Sequence, residues 1–224
     1  MPGEQRRERT PMGTARQKIL DEALRLFVSQ GYRATTIKEV AAGAGVAVQT
    51  VYFTFGNKRA LLKELVDRNV AGDDEPVPTL QRPWAREAVE EPDPQRQLEI
   101  QVRAAGAIYR RVAPLLQVMR DTAGSEDEVG ELWLHNQKQR RAVQRRLVTA
   151  LARKHPLPEG VSVSRATDIA YALLGPEMYH LMVTERGWPV AEWERWVLRM
   201  LRTELLGDGR ADRHDGAAAS AAAP

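Results

Sequence analysis

Residues 36–62 read TIKEVAAGAGVAVQTVYFTFGNKRALL, and the order of residue types in this stretch decides the fold. Thr36 followed by Glu39 is a capping box, in which each side chain satisfies a backbone N–H left free at a helix start. Val40 and Ala41 give that helix an apolar face. Four residues after Ala41 comes Gly45, in AAGAGV. A small residue on the first helix lets a second helix cross closely, and a glycine takes the turn geometry that a side chain resists. Val46 and Val51 supply the apolar contacts that fix the angle between the helices. The pattern predicts a helix-turn-helix whose second helix runs from about Ala47 to Phe53 and fits the major groove of DNA.

Upstream, Ile19, Leu20, Ala23, Leu24 and Phe27 recur at three- and four-residue spacing, the mark of a helix with one buried stripe. Thr14 with Gln17 is expected to cap its start. Gly31 is placed to end it in a left-handed conformation, with Tyr32 packing back. Residues 1–13 lack apolar periodicity, carry Arg6, Arg7 and Arg9, and read as a flexible basic arm.

Downstream, a fourth helix is expected over about Asn57 to Val70. The turn-rich, acidic segment GDDEPVPTLQRP follows. This puts the helix-turn-helix domain at 14–71 and a second helical domain at 72–206. In the second domain a short helix is expected at Trp84–Glu91 and a longer one at Gln95–Val112. Pro114 should break the chain before a short helix LLQVMRD. A long helix follows at Asp127–Lys154, whose Arg140, Arg141, Arg145 and Arg146 read as a solvated face. Ser164–Arg186 should kink or restart at Gly175-Pro176. A last helix carries Trp193, Trp196, Val197, Met200, Leu201 and Leu205 as a stripe wide enough for an interface. The Gly-, Ala- and Asp-rich residues 207–224 read as a disordered tail.

The charge is unevenly placed. Residues 1–70 hold 12 Lys/Arg against 7 Asp/Glu, and the remainder holds 21 against 23. A basic N-terminal third points that part toward a polyanion. The chain has no cysteine, which excludes disulfides, thiolate zinc sites and cysteine nucleophiles. Its apolar runs are far shorter than the roughly 20 residues that span a bilayer, and no secretion signal opens it. A cytoplasmic protein without a membrane partner is expected.

ATTIKEVAAGAGVAVQTVYFTFGNKRALL resembles the N-terminal domain of the TetR family of bacterial transcriptional regulators. The matching elements are the Thr36-capped helix, Ala44-Gly45-Val46, Tyr52 to Phe55, and Lys58 to Leu61; with ILDEALRLFVSQGYRATT the likeness covers about residues 16–65. Two departures stand out. Ala47 replaces the family's usual Ser or Thr, so the recognition helix lacks its side-chain cap, typically worth about 1 kcal/mol. Val48 and Phe53 make the DNA-facing surface less polar.

The resemblance implies an all-α fold: a three-helix helix-turn-helix domain joined to a larger C-terminal ligand-binding and dimerisation domain. It also implies DNA-contacting roles. Gln49 and Thr50 suit base edges, because Gln pairs bidentately with adenine and Thr touches a thymine methyl. Val48 lies on the same surface. Tyr52 and Lys58 match family positions that contact phosphate, and Thr36 stands at a helix start where a phosphate is favoured. GPEMYHLMVTERGWPVAEWERWV resembles the C-terminal segment through which such proteins dimerise, here 164–206. The implied effector pocket lies among helices spanning about 95–182. Its candidate residues are Tyr109, Met119, Trp133, Asn136, Gln137, Tyr171 and Met178, a set suited to a small, mainly apolar molecule.

These features predict a homodimeric repressor that binds a palindromic operator and is released by an effector. An activator, a ligand-independent DNA-binding protein, an adaptor that has lost DNA binding and an enzyme are the competing readings. For the enzyme, the four histidines His135, His155, His180 and His214 stand in no HExxH motif, and no glycine-rich phosphate loop is present. No cofactor or metal is expected. Glu131 and His135 share a helix face, which more simply makes a surface hydrogen bond than a metal site.

Overall fold

The computed structural model describes residues 11–73, 75 and 77–207. The arm arginines Arg6, Arg7 and Arg9, His214 and the tail after Gly207 lie outside the described residues. Among the described residues every regular element is helical, and none is long and apolar enough to cross a membrane. The chain divides into two compact units, residues 1–74 with 111–135, and residues 75–110 with 136–224.

The first unit begins with α1, Pro11–Ala34. This helix starts three residues before Thr14, so Thr14 does not cap it. Gln17 instead donates to Asp21 at 2.7 Å and accepts from Arg68 at 2.9 Å. The helix kinks at Gly31, whose φ of 84° a side chain would strain. Tyr32 packs back against Phe27 with ring centres 5.5 Å apart.

Next come α2, Ile37–Ala44, and α3, Val48–Phe55. Both halves of the Thr36–Glu39 capping box are present. Gly45 adopts a left-handed φ of 66° and closes α2 through its N–H, which donates to the Ala41 and Ala42 carbonyls. Ala47 occupies the N-cap of α3 with no side-chain bond. Helix α4, Lys58–Ala71, follows, and Asn57 caps it by accepting from the Ala60 N–H at 2.8 Å. Ile19, Leu20, Phe27, Val40, Val51, Leu61 and Leu62 form the buried core of this bundle. Each such side chain contributes roughly 1.5–3 kcal/mol of burial.

Two longer helices, α6, Pro94–Ala123, and α7, Asp127–Lys154, contribute residues to both units. Helix α6 runs through Pro114 without a break, contrary to the sequence expectation. The missing proline N–H removes one bond of the ladder. Burial of Val112, Ala113, Leu115 and Leu116 around it holds the helix together.

The second unit contains a short 3-10 turn, Thr79–Gln81, and α5, Pro83–Glu90. It also holds α8, Val163–Leu173, then α9, Pro176–Tyr179, then α10, Val190–Leu206. Gly175-Pro176 restarts the helix as expected, with Pro176 at its first position, where a missing N–H costs nothing. After Tyr179 the turns widen into a π-helical segment, His180–Glu185. Ala88, Ile100 and Leu147 form a core cluster with Trp84 and Val143 against it. The Gln97 amide donates to the Leu147 carbonyl at 2.9 Å. Trp193, fully buried, stands edge-on to Tyr179 and Tyr109 at 5.1 and 6.4 Å.

Candidate nucleic-acid interface and effector region

The exposed surface of α3 follows from its register. Val51 and Phe55 are buried and anchor the helix, one turn apart. Helical geometry, about 100° per residue, turns Gln49 and Phe53 away from that core. Gln49 is exposed, Tyr52 is 51% exposed and Phe53 is 85% exposed. Val48 and Thr50 are half-buried. The Thr50 carbonyl accepts from the Thr54 hydroxyl at 2.7 Å. The structure thus brings Gln49, Thr50 and Tyr52 onto one short helix with their polar groups outward or at its edge, while half-buried Val48 lies nearer the core side. Helix α3 carries no charged side chain, so any charge attraction to DNA comes from its neighbours.

Thr36 and Lys58 are more tightly engaged than the sequence suggests. The Thr36 hydroxyl donates to the Glu39 carboxylate at 2.8 Å and accepts from the Glu39 N–H at 3.2 Å. The Thr36 backbone N–H also donates to that carboxylate, and these bonds hold the Glu39 pKa below its usual range. An anion therefore already occupies the start of α2. The Lys58 ammonium donates to the carbonyls of Tyr32 and Thr35, each at 3.0 Å, and lies 4.3 Å from the centre of the Tyr32 ring. Burial lowers its pKa, and Glu126 pulls it back up. Two of its three N–H donors are committed to the α1–α2 junction, which leaves one for a phosphate.

The N-terminus of α7 lies against this same unit. Arg59 donates to the Glu128 carbonyl and to the Glu131 carboxylate, both at 3.2 Å, and Arg33 pairs with Glu126 at 3.3 Å. Glu131, which shares its helix face with His135, is engaged by this arginine. Nothing in the sequence marked these pairs, because their partners are about 70 residues or more apart.

The seven nominated effector residues do not all fall in one unit. Met119 and Trp133 belong to the first; Tyr109, Asn136, Gln137, Tyr171 and Met178 belong to the second. Tyr109 is buried, its hydroxyl donates to the Leu174 carbonyl at 2.6 Å, and burial pushes its pKa up to about 12. Asn136, Gln137, Tyr171 and Met178 are half-buried. The Asn136 side-chain oxygen is buried without a hydrogen-bond partner among the described residues.

Arg140 is a correction. It is not part of a solvated face: its side chain is 14% exposed, lies 4.6 Å from the centre of the Tyr171 ring and reaches Glu177 at 3.5 Å. Arg141 does lie on the surface, paired with Asp168 at 2.9 Å. The only advance sign was the four-residue spacing of Asn136, Arg140 and Gln144 on α7. A separate cavity of about 200 Å³ lies in the first unit between α1 and α4, lined by Leu20, Leu24, Leu65, Arg68 and Arg111. None of the nominated effector residues lines it.

A family profile described as bacterial regulatory proteins, tetR family, matches residues 19–65, which runs from the α1 core through the two crossing helices into α4. The YvkB regulator of Bacillus subtilis is 41% identical over 58 residues, 26% of this chain and 31% of that protein. The first curated relatives are thus matched over less than a third of their length. The TtgR regulator of Pseudomonas putida is 27% identical over 209 residues, 91% of this chain and 90% of that protein.

The structure is similar to NalD of Pseudomonas aeruginosa, described as the secondary repressor of a multidrug efflux pump. The TM-score is 0.67 at 21% identity, covering 87% of this chain and 96% of that one. It is also similar to the regulator FadR of Bacillus subtilis, solved with stearoyl-CoA, with a TM-score of 0.65 at 19% identity over 86% and 98% of the two chains. These structural likenesses establish the all-helical fold, and the curated relatives are transcriptional regulators, not enzymes. The profile lies in register with the built helix-turn-helix, so residues 19–65 match the DNA-binding domain of the tetR family of bacterial regulatory proteins, and the chain as a whole is similar to transcriptional regulators.

Proposed function

We propose that this protein is a transcriptional repressor that binds a palindromic operator as a homodimer and releases it when a small molecule binds. The observation that carries the reading is the outward face of α3, with Gln49, Tyr52 and Phe53 exposed beside the left-handed turn at Gly45. A side chain such as Gln49 has no role in the core it faces away from, and it suits the donor–acceptor edge of adenine. Tyr52 supplies a hydroxyl for phosphate. Lys58 contributes its remaining N–H at the start of α4.

One eight-residue helix reads only a few base pairs, so two copies about 34 Å apart, one DNA turn, make a workable reader. The segment 164–206 is our choice for the subunit interface. Leu181 at 43% exposed, with half-buried Trp188 and Trp196, supports an apolar surface there. An effector that fits one spacing of the two heads shifts the population away from DNA. NalD is a repressor and the FadR structure contains stearoyl-CoA; the two favour repression and a largely apolar effector. Tyr109, Asn136, Gln137, Tyr171 and Met178, all of the second unit, remain our candidates for its lining. Arg140 adds a cation beside Tyr171, so the effector we favour carries an acceptor group on an apolar body.

Footprinting on DNA flanking the protein's own gene tests the reading. A protected palindrome is expected at moderate salt. With that site in hand, Gln49→Ala should relax base preference without changing the salt dependence, while Tyr52→Phe should weaken all sequences alike. A purified dimer that protects no site, at any salt tried, removes the DNA-binding reading.

A further inference from the structure

We propose that Phe53 is a specificity residue that reads thymine 5-methyl groups in the major groove. This inference rests on the DNA-binding reading above. Phe53 is the most exposed large hydrophobic side chain among the described residues, at 85%. Of the other aromatic side chains of α1–α4, Phe27, Tyr32 and Phe55 are buried and Tyr52 is 51% exposed. An exposed phenyl ring is costly in water and does nothing for the bundle that carries it.

Its position gives it a use. At about 100° per residue, Phe53 stands about 180° from the midpoint of the Val51–Phe55 core pair. It is the centre of the outward face, with Gln49 on one side and Thr50 on the other. Any orientation that brings Gln49 and Thr50 to base edges sets Phe53 on the floor of the same groove. A phenyl ring has no donor or acceptor. It therefore leaves phosphate and the polar base edges to its neighbours, and α3 has no charged side chain to hold the ring against the backbone. The one apolar group that a base presents in the major groove is the thymine methyl. Gln49 beside it suits adenine, so the two residues together specify adjacent A·T pairs. A half-site containing an A·T step, with a thymine methyl under the ring, is the expected ligand.

The test uses the full chain and a random duplex library. Rounds of selection give a bound duplex, and each thymine of its half-site is then replaced by deoxyuridine, which removes only the methyl. Burial of one methyl is worth about fourfold in affinity. One thymine per half-site is expected to lose about fourfold on replacement with the wild-type chain. The Phe53→Ala chain is expected to bind the thymine duplex more weakly and to lose nothing further on replacement. Because the ring is exposed, Phe53→Ala should keep its thermal midpoint, which checks that the fold is intact. Equal losses in wild type and Phe53→Ala, or selected half-sites whose affinity ignores every methyl, overturn this inference alone. A chain that enriches no duplex overturns the DNA-binding reading and this inference with it.

Discussion

The Lys58 ammonium lies 4.3 Å from the centre of the Tyr32 ring and donates to the Tyr32 carbonyl at 3.0 Å, so the first residue of α4 is fastened to the end of α1. A second bond to the Thr35 carbonyl closes the arrangement. Read from sequence, Lys58 is a phosphate contact. In the fold it is also the tie that sets α4 against the α1–α2 junction.

A lysine with that double duty has a measurable signature. Lys58→Ala should lower the urea midpoint in the absence of DNA, at a cost of about 1–3 kcal/mol for two lost charge-assisted hydrogen bonds. A lysine that served phosphate alone would leave the DNA-free midpoint where it was.

Tyr32 makes a prediction about alkaline pH. Burial, then the carboxylates of Glu128 and Glu126, push its pKa from 10.0 to about 12, against the pull of Arg59. A folded pKa above the unfolded one means that the neutral phenol stabilises the fold. That contribution is fully present below pH 10 and is lost as pH rises through 12. Tyr109 is shifted upward in the same way, so both phenols add to the alkaline loss. Urea midpoints measured at pH 9 and pH 11.5 should fall further for the wild type than for Tyr32→Phe. Equal falls would mean that the Tyr32 phenol does not titrate across this window.

The uncapped start of α3 offers a gain of stability. Ala47 already has the extended backbone of an N-cap, φ −70° and ψ 148°, but no side chain to accept a bond. Ala47→Ser should stabilise the bundle by about 0.5–1 kcal/mol, read as a higher thermal midpoint and slower amide exchange in the first turn of α3. No change in either would show that solvent serves the free N–H groups at this helix start as well as a hydroxyl does.

At the other end of α4, Arg111 acts as a cap supplied by α6. Its guanidinium donates to the Asn69 carbonyl at 3.0 Å and to the Val70 carbonyl at 3.4 Å. Arg111→Ala should cost about 1 kcal/mol and speed amide exchange at the end of α4. Gly72→Ala should cost more. Its φ is 85°, and an added Cβ would stand 2.9 Å from the Arg111 guanidinium nitrogen. If Gly72→Ala is the milder of the two, the guanidinium has room to move and does not define this cap.

Much of this architecture was legible in advance, for one physical reason. A capping box, a glycine turn and an apolar period act between residues three or four apart, so Thr36–Glu39, Gly45 and the Val51–Phe55 pair could be read in the linear chain. Gly175-Pro176 belongs with them, because a proline has only a few tolerable positions in a helix. Thr14–Gln17 shows the limit of such reading. The same pattern that caps α2 lies inside α1, because α1 begins at Pro11 and Gln17 found Arg68 and Asp21 instead. Pro114 shows the same limit, since the side chains packed around it outweigh one missing hydrogen bond.

The sequence by itself determined that the N-terminal third makes a helix-turn-helix, because that motif is written in local spacing and each local signal agrees with the next. Only the tertiary structure decided what its charged and aromatic residues do. Lys58 meets carbonyls 23 and 26 residues away, Arg59 meets α7 some 70 residues away, and Arg140 turns inward to Tyr171. Burial and long-range partners fix such roles, and neither exists until distant segments are packed together. Phe53 follows from both: its register on α3 was in the sequence, but its exposure at the centre of the outward face came only from the packing of Val51 and Phe55 against the rest of the bundle.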